Sequence, residues 1–81
     1  MKSEVGRELL ASELREGTVI VLSRPDSDQG ITAWVKYIDP EFVAFSMGVT
    51  RTTFLGRRQA DGKIIDETGV RVMVFEYLGE I

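Results

Sequence analysis

The sequence predicts a single all-β domain over residues 1–81, mainly antiparallel, closing as a small barrel of five to six strands. Three observations predict it. Runs rich in β-branched and aromatic residues recur between clusters of turn formers at intervals of roughly 8 to 12 residues. No segment between those runs is long enough to form the helix that a crossover between parallel strands requires. Finally, 43% hydrophobic and 28% charged residues are the balance of a folded chain, too apolar for disorder, while 81 residues leave room for one compact core only.

Residues 1–15 read as an N-terminal helix or extension. Val5, Leu9, Leu10 and Leu14 fall roughly on one helical face, and Glu4 and Glu8 suit the positive end of a helix dipole. Gly6 opposes that helix by about 1 kcal/mol relative to alanine, so a leader without helical structure stays open as the second reading. The barrel occupies residues 17–78. Gly17 opens Thr18-Val19-Ile20-Val21-Leu22-Ser23, apolar on both faces and therefore expected inside the fold.

Arg24 to Gly30 is a polar turn region. Its Asp26-x-Asp28-x-Gly30 spacing matches the start of a calcium loop, but the terminal glutamate that such a loop needs is missing at the required offset, so a solvated loop is expected and no metal site. In the next strand, Ile31, Ala33, Val35 and Tyr37 alternate with Thr32, Trp34, Lys36 and Ile38, and the first set is expected to face the core. Asp39-Pro40-Glu41 turns the chain into Phe42 to Met47, where Val43, Phe45 and Met47 form the bulkier, inward face.

After Gly48-Val49 a threonine-rich strand runs through Arg57, with Gly56 marking a bulge or a close approach. Asp61-Gly62 is a strong hairpin signal that folds Lys63 to Glu67 back onto it. Thr68-Gly69 turns again into Val70 to Leu78, the most apolar strand. Met73, Phe75 and Tyr77 on one face and Val72 and Val74 on the other must all be covered, either by a central place in the barrel or by a partner, of which a homodimer through Val70 to Leu78 is the simplest.

Within this order, Leu14-Arg15-Glu16-Gly17-Thr18-Val19-Ile20 resembles the entry to SH3-like and related small barrels, a leucine shortly before a glycine-opened apolar strand. The resemblance covers seven residues and implies a fold, not a function.

Chemistry is constrained by what is missing. The chain has no cysteine and no histidine, which removes disulfides, thiolate metal sites, Ser-His triads and imidazole acid–base work near neutral pH. Asp26 with Asp28 and Asp66 with Glu67 are adjacent acids in turns or strands, a spacing that does not flank a substrate. Without a phosphate loop or nucleophile elbow, the expectation is a protein that is not an enzyme and carries no cofactor. Met1 to Glu8 alternates charges where a signal peptide needs an apolar core, and no apolar run nears the ~18 residues of a membrane helix, so a cytoplasmic chain without membrane contact is expected.

Charge is uneven under a net value of -3. Residues 51–63 hold Arg51, Arg57, Arg58 and Lys63 against Asp61 alone, a local +3. Two readings follow. In the first, these cations pair with Asp66, Glu67 and Glu76 and solubilise a binding module that meets a protein partner or a second copy of itself. In the second, they converge with Trp34 as a stacking platform and contact nucleic acid.

Overall fold

The computed structural model describes residues 5–25, 30–48 and 51–79, so Asp26 and Asp28 of the calcium-like spacing lie outside the described residues. The described residues form seven strands: β1 (Val5–Glu8), β2 (Val19–Ser23), β3 (Gly30–Ile38), β4 (Phe42–Met47), β5 (Thr52–Arg58), β6 (Ile64–Ile65) and β7 (Arg71–Tyr77). All pairings are antiparallel and the sheet order is β1-β7-β2-β3-β4-β5-β6. A further β6–β7 pairing closes six strands into a barrel, with β1 as one extra strand.

The short length of β6 explains where β1 goes. β6 covers only Arg71 and Val72 of β7, and past that point the same edge would expose unpaired backbone groups. β1 takes over, with Val5 opposite Tyr77 and Glu8 opposite Phe75, and the Leu9 amide donates to the Val74 carbonyl at 2.7 Å. The helical reading of this segment is therefore replaced by an extended one. Gly6 is suited to it, because a Cβ there would collide with the Glu76 side chain.

A single 3-10 turn, Ala11–Glu13, follows and is the one helical element among the described residues. The Glu13 carboxylate accepts the Leu10 amide at 2.8 Å, and the Ala11 amide donates to the Gly62 carbonyl at 2.8 Å. These bonds tie the turn to the β5–β6 hairpin. Ala11 and Leu14 are thereby pressed into the core as a plug over one end of the barrel.

The core is built from inward rows of the strands. Ile20, Leu22, Ala33, Val35, Val43, Phe45, Ile64, Val72 and Val74 pack together, with Met47 and Phe54 against them and the Phe45 and Phe54 rings stacked at 5.9 Å. Gly56 is buried opposite Val43, and its missing side chain makes room for Ile64, which identifies it as a close approach. The apolar excess of β7 is covered within the chain in part, Val70 and Leu78 at its ends remaining exposed. Val72 and Val74 point inward, Met73, Phe75 and Tyr77 are half-buried outside, and both strand edges are paired, so strand pairing between two copies at Val70 to Leu78 would have to displace β1, β2 or β6.

One expected alternation fails. Between Val35 and Tyr37 the β3–β4 register slips by a residue, so that Val35 faces Phe45 while Tyr37 faces Ala44. The bulge inverts the pattern after Lys36. Ile38 packs on the core, and Tyr37, expected inside, is instead exposed; Ile31, also expected inside, stands exposed at the end of the strand.

Candidate functional site

The bulge creates the most distinctive surface of the molecule. Because Val43 and Phe45 point inward, Ala44 between them points outward, opposite Tyr37 on one side and Leu55 on the other. Ala44 is 0% exposed, whereas Tyr37 and Leu55 are 47% and 49% exposed, so two large apolar side chains stand on either side of a small one. Rows along a strand face repeat at about 6.6 Å, and the flanking rows continue the surface. On one side Trp34 lies opposite Ser46, which lies opposite Thr53; on the other Phe42 lies opposite Arg57.

Trp34 is 41% exposed and lies near Gly48, where a Cβ would stand 3.2 Å from its Cζ3. One side of the indole is supported by the protein. The Arg57 guanidinium carbon sits 5.7 Å from the centre of the Phe42 ring, a cation–π arrangement that also holds the side chain on this face. Beyond Leu55 the face falls into a groove of about 430 Å³ lined by Phe42, Leu55, Arg57, Ile65 and Glu67.

The structure distributes the five residues singled out from the sequence. Trp34 and Arg57 share the outer face of β3, β4 and β5. Arg51 lies at the tip of the β4–β5 hairpin with a φ of 57°, six residues and thus about 20 Å of strand from Arg57. Arg58 occupies the inward row at the plugged end, where its Nη1 donates to the Asp39 carbonyl at 2.9 Å. Lys63 is drawn toward Glu8, Nζ to Oε2 at 3.9 Å. The four cations of residues 51–63 do not converge on one point.

Ion pairing separates the cations further. Arg7 pairs with Glu13 at 2.7 Å, Arg24 with Asp66 at 3.1 Å, and Arg71 and Lys63 share Glu8. Asp66 and Glu76 thus serve Arg24 and Arg7 rather than the cations of residues 51–63. Among the described residues Arg15, Lys36, Arg51, Arg57 and Arg58 have no carboxylate partner within ion-pair distance, and all of these except Arg15 belong to the β3–β5 part of the barrel. Nothing in the sequence marked Tyr37 or Phe42 as a member of a site, since the register slip that exposes Tyr37 leaves no compositional trace, whereas Lys36 was expected on the outward face with Trp34.

Several of the described carboxylates are structurally engaged. Buried Asp66 accepts the Thr68 hydroxyl at 2.6 Å and the Thr68 and Val70 amides at 2.9 Å through Oδ1, while Oδ2 faces Arg24 as an ion pair without an aligned hydrogen bond. The Thr68 hydroxyl holds this carboxyl below the ordinary aspartate range against the opposing effect of burial, assisted by the two amides and by Arg24. Glu13 is likewise lowered, first by its hydrogen bond to Arg7 and then by the Leu10 amide. No group of three or more acidic side chains converges in metal-binding geometry among the described residues.

A second concavity lies at the barrel end opposite the plug. It is an open apolar pocket of about 140 Å³ whose walls include Leu22, Ile31, Met47, Phe54 and Val72, with Arg24 at its rim. No described helix is long and apolar enough to cross a membrane.

No protein-family model, curated protein or solved structure matches this chain.

Proposed function

We propose that the chain is a non-catalytic binding module whose interaction surface is the outer face of β3, β4 and β5. The observation that carries this reading is the row Tyr37-Ala44-Leu55, bordered by Trp34 and by Arg57 over Phe42. Large apolar side chains that are about half exposed and adjacent across three strands leave apolar area in water that a partner would cover. The absence of histidine and cysteine, and the commitment of Asp66, Glu8 and Glu13 to structural bonds, support a role without chemistry.

Selection tests the reading without assuming a partner. A random peptide library and a random oligonucleotide pool are passed over the immobilised chain, and enriched ligands are mapped by amide chemical shifts. The expected result is perturbation centred on residues 34–37, 42–46 and 53–57, with binding lost in Leu55→Asp while the dispersed spectrum of a folded barrel is retained. Ligands that map instead to the pocket at Leu22 and Phe54, or to the outer face of β7, would sink it.

A further inference from the structure

We infer that the outer face of β3, β4 and β5 takes single-stranded nucleic acid, its bases stacking on Trp34 and Tyr37 and its phosphates meeting Lys36, Arg51 and Arg57. The inference rests on the preceding reading of this face as the interaction surface and assigns the chemistry of its partner.

Charge complementarity decides the class. Elsewhere in the described structure Arg7 and Arg24 each meet a carboxylate, Lys63 and Arg71 share that of Glu8, and Arg15 alone has none, so most cations outside this face are paired. Around the apolar face that pairing is absent from Lys36, Arg51 and Arg57, while Arg58 spends a donor on a carbonyl rather than a carboxylate. Unpaired cations beside exposed aromatics suit a partner that carries regularly spaced anions and flat π surfaces.

A second copy of the chain fits less well. Two identical faces brought together about a two-fold axis would set Lys36, Arg51 and Arg57 against the same three charges of the other copy, and like charges in contact across an interface are costly. Duplex nucleic acid fits less well too, because its bases are already stacked and cannot reach a flat aromatic surface. The aromatics here lie on the strand face of a small barrel, with Trp34 beside Gly48, whose lack of a side chain leaves room for the indole. Glu41 and Glu67 stand at the margins of the face, which keeps the cationic strip short and limits the site to a few nucleotides.

Trp34 is the single tryptophan of the chain and reports directly on stacking. Titration of the full chain with single-stranded oligothymidylate at low salt is expected to quench its emission. The affinity should fall with salt at a slope of about -2, since single strands contribute about -0.7 per phosphate contact and three cations are available. Trp34→Ala, followed by anisotropy of a labelled oligonucleotide, should weaken binding roughly ten- to hundred-fold. Lys36→Gln with Arg57→Gln should flatten the salt slope by about 1.4, whereas Arg7→Gln, which removes an already paired cation, should leave it unchanged.

Absence of quenching and of anisotropy change at low salt overturns the inference, as does binding that survives the Lys36 and Arg57 substitutions with its slope intact. If peptides but not oligonucleotides map to the face, this inference falls while the binding-module reading stands. If oligonucleotide binds but maps elsewhere on the barrel, both fall.

Discussion

Gly56 of β5 passes so close to Ile64 of β6 that a methyl group on Gly56 would overlap Ile64 Cγ2. The contact sits where the short strand β6 completes the barrel, at its narrowest pairing. Gly56→Ala should therefore destabilise the fold by about 1–3 kcal/mol through overpacking. Ile64→Ala alone should cost about 2–5 kcal/mol by leaving a cavity. In combination the two should be less than additive, because the new methyl enters the space that the isoleucine has vacated. Urea unfolding of the four members of the cycle measures this, and strict additivity would contradict the contact.

How far the sequence revealed this architecture follows the range of the interactions. The strands from Val19 onward were legible because β-branched runs and turn residues such as Asp61-Gly62 are local signals, and Gly56 stood out as a glycine inside such a run. The first strand was not. Val5, Leu9, Leu10 and Leu14 have spacing compatible with a helix, and only the vacant edge of β7, more than 60 residues away in sequence, draws Val5–Glu8 into a strand. The site was half legible: Trp34 and Arg57 could be named, but the bulge that exposes Tyr37 and the pairing of Lys63 with Glu8 depend on tertiary register.

That same distant docking makes β1 a local unit of stability. Arg71 Nη2 lies 2.7 Å from Glu8 Oε2, with both side chains partly exposed, so the pair itself contributes only about 0.5–1 kcal/mol after solvent screening. Glu8→Ala should accordingly leave the global midpoint nearly unchanged while accelerating hydrogen exchange at Leu9, whose amide bonds to Val74, ahead of the barrel amides. Uniform acceleration across β2 to β5 would mean instead that β1 unfolds only with the whole barrel.

The plug should behave as core. Leu14 is 6% exposed and closes one end of the barrel against its buried residues. Leu14→Ala should cost about 2–5 kcal/mol, a large share of the stability of a domain this small. A midpoint shift no larger than that of Leu78→Ala, which truncates an exposed side chain, would show that the plug is ornamental to folding.

Asp66 should set the acid limit of the fold. Its carboxyl is lowered chiefly by the Thr68 hydroxyl, so the folded state holds the ionised form more firmly than the unfolded chain does. The sign follows directly. Its contribution is fully present above the unfolded aspartate value of about 3.9, and is lost as pH falls from there through the lower folded value. Urea midpoints measured across the acid range should drop more steeply for the native chain than for Asp66→Asn, which should be less stable near neutral pH yet flatter toward acid. Thr68→Val, which removes the shortest of these hydrogen bonds, should flatten the profile in the same direction.

Arg51 offers a separation of stability from binding. Its φ of 57° lies in the left-handed region, which costs a residue other than glycine about 1–2 kcal/mol. Its amide donates to the Met47 carbonyl at 2.8 Å and keeps the hairpin closed whatever side chain is present. Arg51→Gly should therefore raise the unfolding midpoint, less a part of that gain because glycine also frees the unfolded chain. If the outer face meets single strands through this side chain, the same substitution should lower oligonucleotide affinity and reduce the salt slope by about 0.7. A variant that becomes more stable and binds unchanged would remove Arg51 from the contact surface, and one that loses stability would show that the arginine is held by interactions stronger than its backbone strain.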